Sequence, residues 1–314
     1  MFLLFVENFI EKNCKQSKVQ ECIFETGQQQ ERDFMSNEIK NPAYPAEGSP
    51  ERTVKMELAY DGTAYHGWQR QPNGITVQEV VEERLCKLFG GKQIRIQGSS
   101  RTDAGVHALG LVASCKLPEH PLIPTWKVHK ALNRLLPPDI RIRSIEEMPE
   151  NFNARFSAHA KSYVYVVNTG DINPFTNRYS WLLDDMTDID SLRKAIQYLE
   201  GEHDFSTFTV DRGSIDDPVR LILKTDVTTF GPLVCMRFIG TGFLYKMVRS
   251  MVGALVFVGR GKLPPEAIKE MLEARNRLAC KDTAPAKGLF LKKVYYEPGM
   301  WQSDTVDSPP FWLY

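Results

Sequence analysis

The sequence predicts the α+β class. Stretches of period-two and of helical hydrophobic spacing occur in both halves of the chain, they do not follow strict βαβ alternation, and no short internal repeat is visible. T-V-K-M-E-L-A-Y from Thr53 alternates polar and apolar residues, as a half-buried strand does. Tyr60 to Asn73 is a loop rich in glycine and aromatic residues. Thr76 opens a helix, because T-V-Q-E has capping-box spacing from Thr76 to Glu79. Val77, Val80, Val81, Leu85 and Leu88 then recur at helical spacing with Arg84 the only charge on the stripe, and Gly90-Gly91 ends it.

I-R-I-Q at 94–97 and A-L-G-L-V-A-S-C at 108–115 read as strands on either side of a glycine-flanked loop. Thr125–Leu136 is an amphipathic helix stopped by Pro137 and Pro138. Strands follow at Ile140–Ile145 and Ser162–Val167, then a helix at Ile189–Leu199 with Gly201 behind it. Val219–Phe230 and Leu233–Phe238 are strands joined at Gly231-Pro232, and Phe243–Val258 is a long, mostly apolar helix. Pro264 and Pro265 start a last helix, and Leu289–Tyr296 is the final strand.

The chain has 314 residues, 42% hydrophobic and 25% charged, enough apolar material for one large or two moderate domains. Its 39 basic and 39 acidic residues cancel, which by itself argues against a polyanionic partner. The distribution alters that. Residues 1–50 carry five basic and eight acidic residues and residues 301–314 none and two, so the middle holds 34 against 29. The segment 1–50 is expected to be a disordered extension; its M-F-L-L-F-V start lacks a positive n-region, and its acidic, Gln-rich continuation is unlike a transit peptide. Met35 is an alternative start. Cys14, Cys22, Cys86, Cys115, Cys235 and Cys280 show no CxxC pairing, the pattern of a reduced intracellular protein without a cysteine zinc site. No apolar run approaches a membrane span.

The candidate chemistry centres on G-S-S-R-T-D-A-G-V-H-A-L, Gly98 to Leu109. Taken alone, T-D-A-G is a turn in which Asp103 bonds its own backbone. Three features favour a working carboxylate instead. The loop leaves a strand end, Gly98 and Gly105 permit close approach of a large ligand, and Arg101 can hold a phosphate or keep Asp103 ionised. No P-loop, Rossmann fingerprint or His/Cys ligand cluster is present, so neither a metal nor a small-molecule cofactor is expected.

G-S-S-R-T-D-A-G-V-H-A resembles the signature loop of the TruA family of tRNA pseudouridine synthases. Y-D-G-T-A-Y-H-G-W-Q-R-Q at Tyr60–Gln71, F-N-A-R-F-S-A at Phe152–Ala158 followed by K-S-Y-V-Y, G-F-L-Y-K-M-V-R-S-M-V-G at Gly242–Gly253 and T-A-P-A-K-G-L-F-L at Thr283–Leu291 extend the likeness in family order over residues 53–297. The resemblance implies two similar-sized halves with largely antiparallel sheets (51–158 and 159–298), a cleft between them and a tail at 299–314. It implies Asp103 as the catalytic nucleophile, Arg249 as its pairing partner and Tyr163 as the residue stacked on the target base, with Arg101 aiding extrusion of the uridine.

An arginine inside an apolar helix needs an anion, which independently favours an Arg249–Asp103 pair. His107 is a candidate phosphate contact or a structural histidine. Tyr60, Asp61 and Trp68 are expected to shape or underlie the groove. Lys127, Lys130, Arg134, Arg141, Arg143 and Lys246 are candidate RNA contacts, with solvated faces as the plainer alternative. The family further implies tRNA as partner, uridines on the 3′ side of the anticodon arm (positions 38–40 of the tRNA) as targets, and a homodimer. The compartment expected is the cytoplasm, with nucleus or organelle left open by the extension. A catalytically silent RNA-binding protein and a glycosidase-like hydrolase are the alternatives; the latter wants two cooperating carboxylates, and the loop offers one.

Overall fold

A computed structural model describes residues 50–210, 217–280 and 282–312, so the expected extension apart from Pro50, with Met35, Cys14 and Cys22, lies outside the described residues. Ten strands among those residues form one sheet: β1 Glu51–Tyr60, β2 Gln97–Gly98, β3 His107–Pro118, β4 Ile140–Glu147, β5 Ala160–Asn168, β6 Trp181–Leu182, β7 Gly201–Asp204, β8 Val219–Phe230, β9 Leu233–Gly240 and β10 Leu289–Tyr295. The order along it is β4-β1-β3-β10-β5-β9-β8-β7, with β2 on β3 and β6 on β5. Every neighbour on the main path is antiparallel except β3 and β10, which join through Phe290 beside His107 and Leu291 beside Ala108. The sheet is thus mixed but largely antiparallel, as the α+β reading requires.

The helices are α1 Val77–Leu88, α2 Thr125–Leu135, α3 Pro174–Asn177, α4 Ile189–Gln197, α5 Met247–Gly259 and α6 Ala267–Ala274. Thr76 Oγ1 accepts the Glu79 amide, as the capping spacing demands. The apolar stripe of α1 buries Val77, Val81 and Leu85 in the same core as Val54, Met56 and Leu58 of β1. Arg84, the lone charge on that stripe, donates through Nε to the Leu135 carbonyl 3.0 Å away and so satisfies an end carbonyl of α2.

Two expectations shift. I-R-I-Q pairs as a strand only from Gln97, although Ile94 and Ile96 are buried. Side chains of α1 take the backbone groups a neighbouring strand would have used: Glu82 Oε1 accepts the Ile96 amide at 3.0 Å, and Gln78 Nε2 donates to its carbonyl at 2.9 Å. The long apolar helix starts at Met247 rather than Phe243. Lys246 precedes it in the left-handed region (φ 56, ψ 10), which an α-helix interior excludes, and Phe243 to Lys246 are released to line a cleft. Beyond β10, Asp304 accepts from Lys292 Nζ at 2.6 Å and Ser162 Oγ at 3.0 Å and pairs with the buried Arg237, while Phe311 stacks on Tyr179. Among the described residues no helix is long and apolar enough to cross a membrane.

Candidate active site

The loop between β2 and β3 is tied down on all sides before any ligand arrives. Ser99 N–H donates to Val112 O at 2.7 Å, and Trp68 N–H donates to Thr102 O at 3.1 Å. The Tyr60 hydroxyl meets Thr102 Oγ1 at 2.8 Å, and the Trp68 ring lies buried beneath Gly98. Tyr60 and Trp68 therefore pack under the loop. Gly67 is required here: its φ is +87°, and a Cβ on it would lie 2.5 Å from Thr102 O.

Val106 N–H donates to Asp103 O at 3.1 Å, closing a four-residue turn over Ala104 and Gly105, whose φ of +76° suits glycine. Asp103 is thus a turn residue, yet its carboxylate is not spent on the turn, because the Gly105 amide donates to Tyr65 O instead. The carboxylate points at α5. Arg249 Nη1 donates to Asp103 Oδ2 at 2.7 Å, across 146 residues of sequence, and Arg249 Nε donates to Ala284 O at 2.8 Å. The Ala284 amide returns a bond to the Arg249 carbonyl at 3.0 Å, so the guanidinium is fixed from both ends. Both side chains remain about one-seventh exposed, open to a ligand but largely stripped of water.

Adjacency of β3, β10 and β5 brings the third residue in. Tyr163 sits on β5 opposite Leu291, and its ring meets Phe243 edge-on with centroids 4.9 Å apart. Burial pushes its phenol up to about 12; the nearby Asp103 charge adds to this and a bond with the Ser100 side chain opposes it. Tyr163 is therefore a neutral aromatic surface at physiological pH. Asp103, Arg249 and Tyr163 line one cleft of about 990 Å³, together with Arg101, Lys246, Phe243, Tyr245 and Leu289.

The other named residues separate. His107, read from sequence as either a phosphate contact or a structural histidine, is 1% exposed. Its Nε2 lies 3.2 Å from Lys287 O, its Nδ1 lies 3.1 Å from both Asp61 Oδ1 and the Gly62 amide, and its ring stacks on Phe290. Asp61, which also receives Thr63, Tyr179 and Arg178, is an internal hub. Burial alone would raise its carboxyl, but the bonds from His107 and Thr63 hold it well below the usual carboxylate range. Lys127, Lys130 and Arg134 on α2, and Arg141 and Arg143 on β4, are exposed at the β4 edge of the sheet, and none lines the cleft.

Sequence reasoning passed over Arg155, Phe156, Lys161 and Arg220, all of which do. Period two was the available signal for Lys161, since it lies two residues before Tyr163 on the same strand face.

One carboxylate clamped by a guanidinium, beside a neutral tyrosine and on a largely antiparallel mixed sheet, is the arrangement that the resemblance to pseudouridine synthases implied. The comparison with known families narrows it: the family described as tRNA pseudouridine synthase matches residues 58–157 and 195–297, and this chain belongs to that family. It is 43% identical over 246 residues to tRNA pseudouridine synthase A of Geotalea daltonii, covering 78% of this chain and 100% of that one. It is 42% identical over 256 residues to tRNA pseudouridine synthase A of Geobacillus kaustophilus, covering 81% and 98%. A chain of a Cbf5-Nop10-Gar1 complex superposes with a TM-score of 0.31 at 15% identity over 64% of this chain and 44% of that one, a likeness too low to carry an argument.

Proposed function

We propose that this protein converts uridines of tRNA to pseudouridine, with Asp103 as the catalytic nucleophile. The observation that carries the reading is the Arg249–Asp103 contact at 2.7 Å in a cleft large enough for a nucleotide. The reaction breaks the N1–C1′ bond, turns the base and joins C1′ to C5, the C5 proton leaving and N1 taking up one, so that the product is an isomer of uridine. It needs one ionised carboxylate held against the sugar-base junction in a largely desolvated site. Arg249 orients that carboxylate and compensates its charge. Tyr163 supplies the face on which the freed base stacks while it turns. Arg101, exposed at the rim of the same cleft, fills the space the uridine leaves, since a stacked base must be extruded to be reached.

The favoured targets are uridines on the 3′ side of the anticodon arm, the working form is a homodimer, and the compartment is the cytoplasm. The exposed cations of α2 and β4 serve tRNA away from the cleft in this reading, through backbone contacts that do not depend on sequence. Incubating the protein with unmodified tRNA transcripts and mapping pseudouridine chemically tests the proposal. Asp103→Asn should abolish the product while tRNA binding survives; turnover by that variant at the wild-type rate would end it.

A further inference from the structure

The cleft holds a cation that its reaction, as described, leaves unused. Lys161 stands on β5 two residues before Tyr163, about 7 Å along the same face. Ser162 between them turns to the opposite face and bonds Asp304 at 3.0 Å. The Lys161 ammonium is half-buried and lines the cleft, yet no carboxylate, carbonyl or hydroxyl among the described residues pairs with it. The charge that acts on it is a like one, that of Arg155. Arg155 is turned into the same cleft by Asn153, whose Oδ1 accepts the Arg155 and Phe156 amides at 2.9 and 3.1 Å. The charged groups lining the cleft around it are Arg101, Arg155, Arg220, Lys246 and Arg249 against Asp103 and Asp217, and Asp103 is already taken by Arg249.

Two cations lining one cleft, one of them half-buried without a counter-ion among the described residues, form a site suited to a bound anion. We propose that Lys161 and Arg155 bind a backbone phosphate flanking the extruded uridine, so that the base lies at Tyr163 while its phosphodiester is gripped two residues along β5. This rests on the proposed tRNA reaction and names a subsite within it. Burial, and next the Arg155 charge, draw the Lys161 ammonium down to about 8 in the free protein. A bound phosphate favours the charged form, so above pH 8 binding must take up a proton and weakens by up to tenfold per pH unit.

The test measures affinity by fluorescence anisotropy from pH 7 to 9.5, using a tRNA transcript that the wild-type protein modifies. Further transcripts carry a single uncharged methylphosphonate 5′ or 3′ to the modified uridine. Lys161→Met should bind about 10- to 100-fold more weakly at pH 7 and lose the slope above pH 8. Lys161→Arg should keep the pH 7 affinity with a flat profile, and it serves where the methionine variant folds poorly. One methylphosphonate should weaken the wild type and add little in Lys161→Met, and the arm in which this happens identifies the phosphate. The proposal is overturned if either variant keeps the wild-type slope, or if both methylphosphonates act equally on wild type and Lys161→Met. Pseudouridine formed in the wild-type samples reports separately on the underlying reaction.

Discussion

Asp103 is held by a bond from outside its own loop, and that decides what its substitution should do. Arg249→Met removes the one ion-pair partner that the Asp103 carboxylate has among the described residues and leaves a desolvated charge unanswered. We expect turnover on tRNA to fall by about 100-fold or more, with binding changed far less, read as a loss in single-turnover rate at saturating protein. A variant within threefold of wild type would show that the pair is structural. Tyr163 offers a ring rather than a proton, because its phenol stays neutral until about pH 12. Tyr163→Phe should therefore keep activity within a fewfold while Tyr163→Leu loses it; if the hydroxyl did chemistry, both variants would lose activity alike.

At this scale the sequence was informative where chemistry is costly. An arginine in the apolar run Met247–Gly259 has to find an anion, and that reasoning leads to Asp103. His107 was not legible. Its burial depends on Phe290 and Lys287, which a sheet junction brings from the far end of the chain.

Among the elements, the segment after β10 acts on the strand that carries Tyr163. Asp304 joins Arg237 of β9, Lys292 of β10 and Ser162 of β5 behind the cleft. Arg237 is 2% exposed and also bound to Asp226, so Asp304→Ala leaves part of its charge uncompensated. A loss of about 3 kcal/mol is expected, or roughly 6–12 °C in melting temperature by calorimetry.

The pH dependence follows from the same residue. Burial alone would raise the Asp304 carboxyl, but bonds from Lys292 and Ser162 prevail and lower it, as those from His107 and Thr63 lower Asp61. Their stabilisation is fully present above the unfolded value of about 4 and is lost as pH falls through the lower folded values. Melting temperature should hold down to about pH 4 and then drop, and Asp304→Asn should start lower and drop less. A variant that falls in parallel with wild type would remove Asp304 from the explanation.

Strands and helices with clear period were legible at their cores. Their ends were not, where a tertiary partner decided: α1 side chains took the backbone of Ile96, and left-handed Lys246 delayed α5.

For the molecule as a whole, zero net charge concealed a cleft in which, among the described residues, five cations and Lys161 face two carboxylates. Affinity for tRNA should accordingly fall steeply with salt, with a log–log slope corresponding to several phosphate contacts. A slope near zero between 50 and 200 mM salt would contradict a phosphate-lined path. The junction of β3 with β10, only two residue pairs long, could not be read from local pattern, because parallel neighbours 183 residues apart leave no periodic trace. That seam is nonetheless what sets the Asp103 loop beside Tyr163 and Leu289.

The central claim is that Asp103 performs the isomerisation of uridine in tRNA. Unmodified tRNA transcripts treated with wild-type protein and with Asp103→Ala, followed by chemical mapping of pseudouridine at nucleotide resolution, test it most directly. The account predicts pseudouridine at defined uridines with the wild type, none with Asp103→Ala, and no free uracil from either. Pseudouridine formed by Asp103→Ala, or uracil released by the wild type, would contradict it.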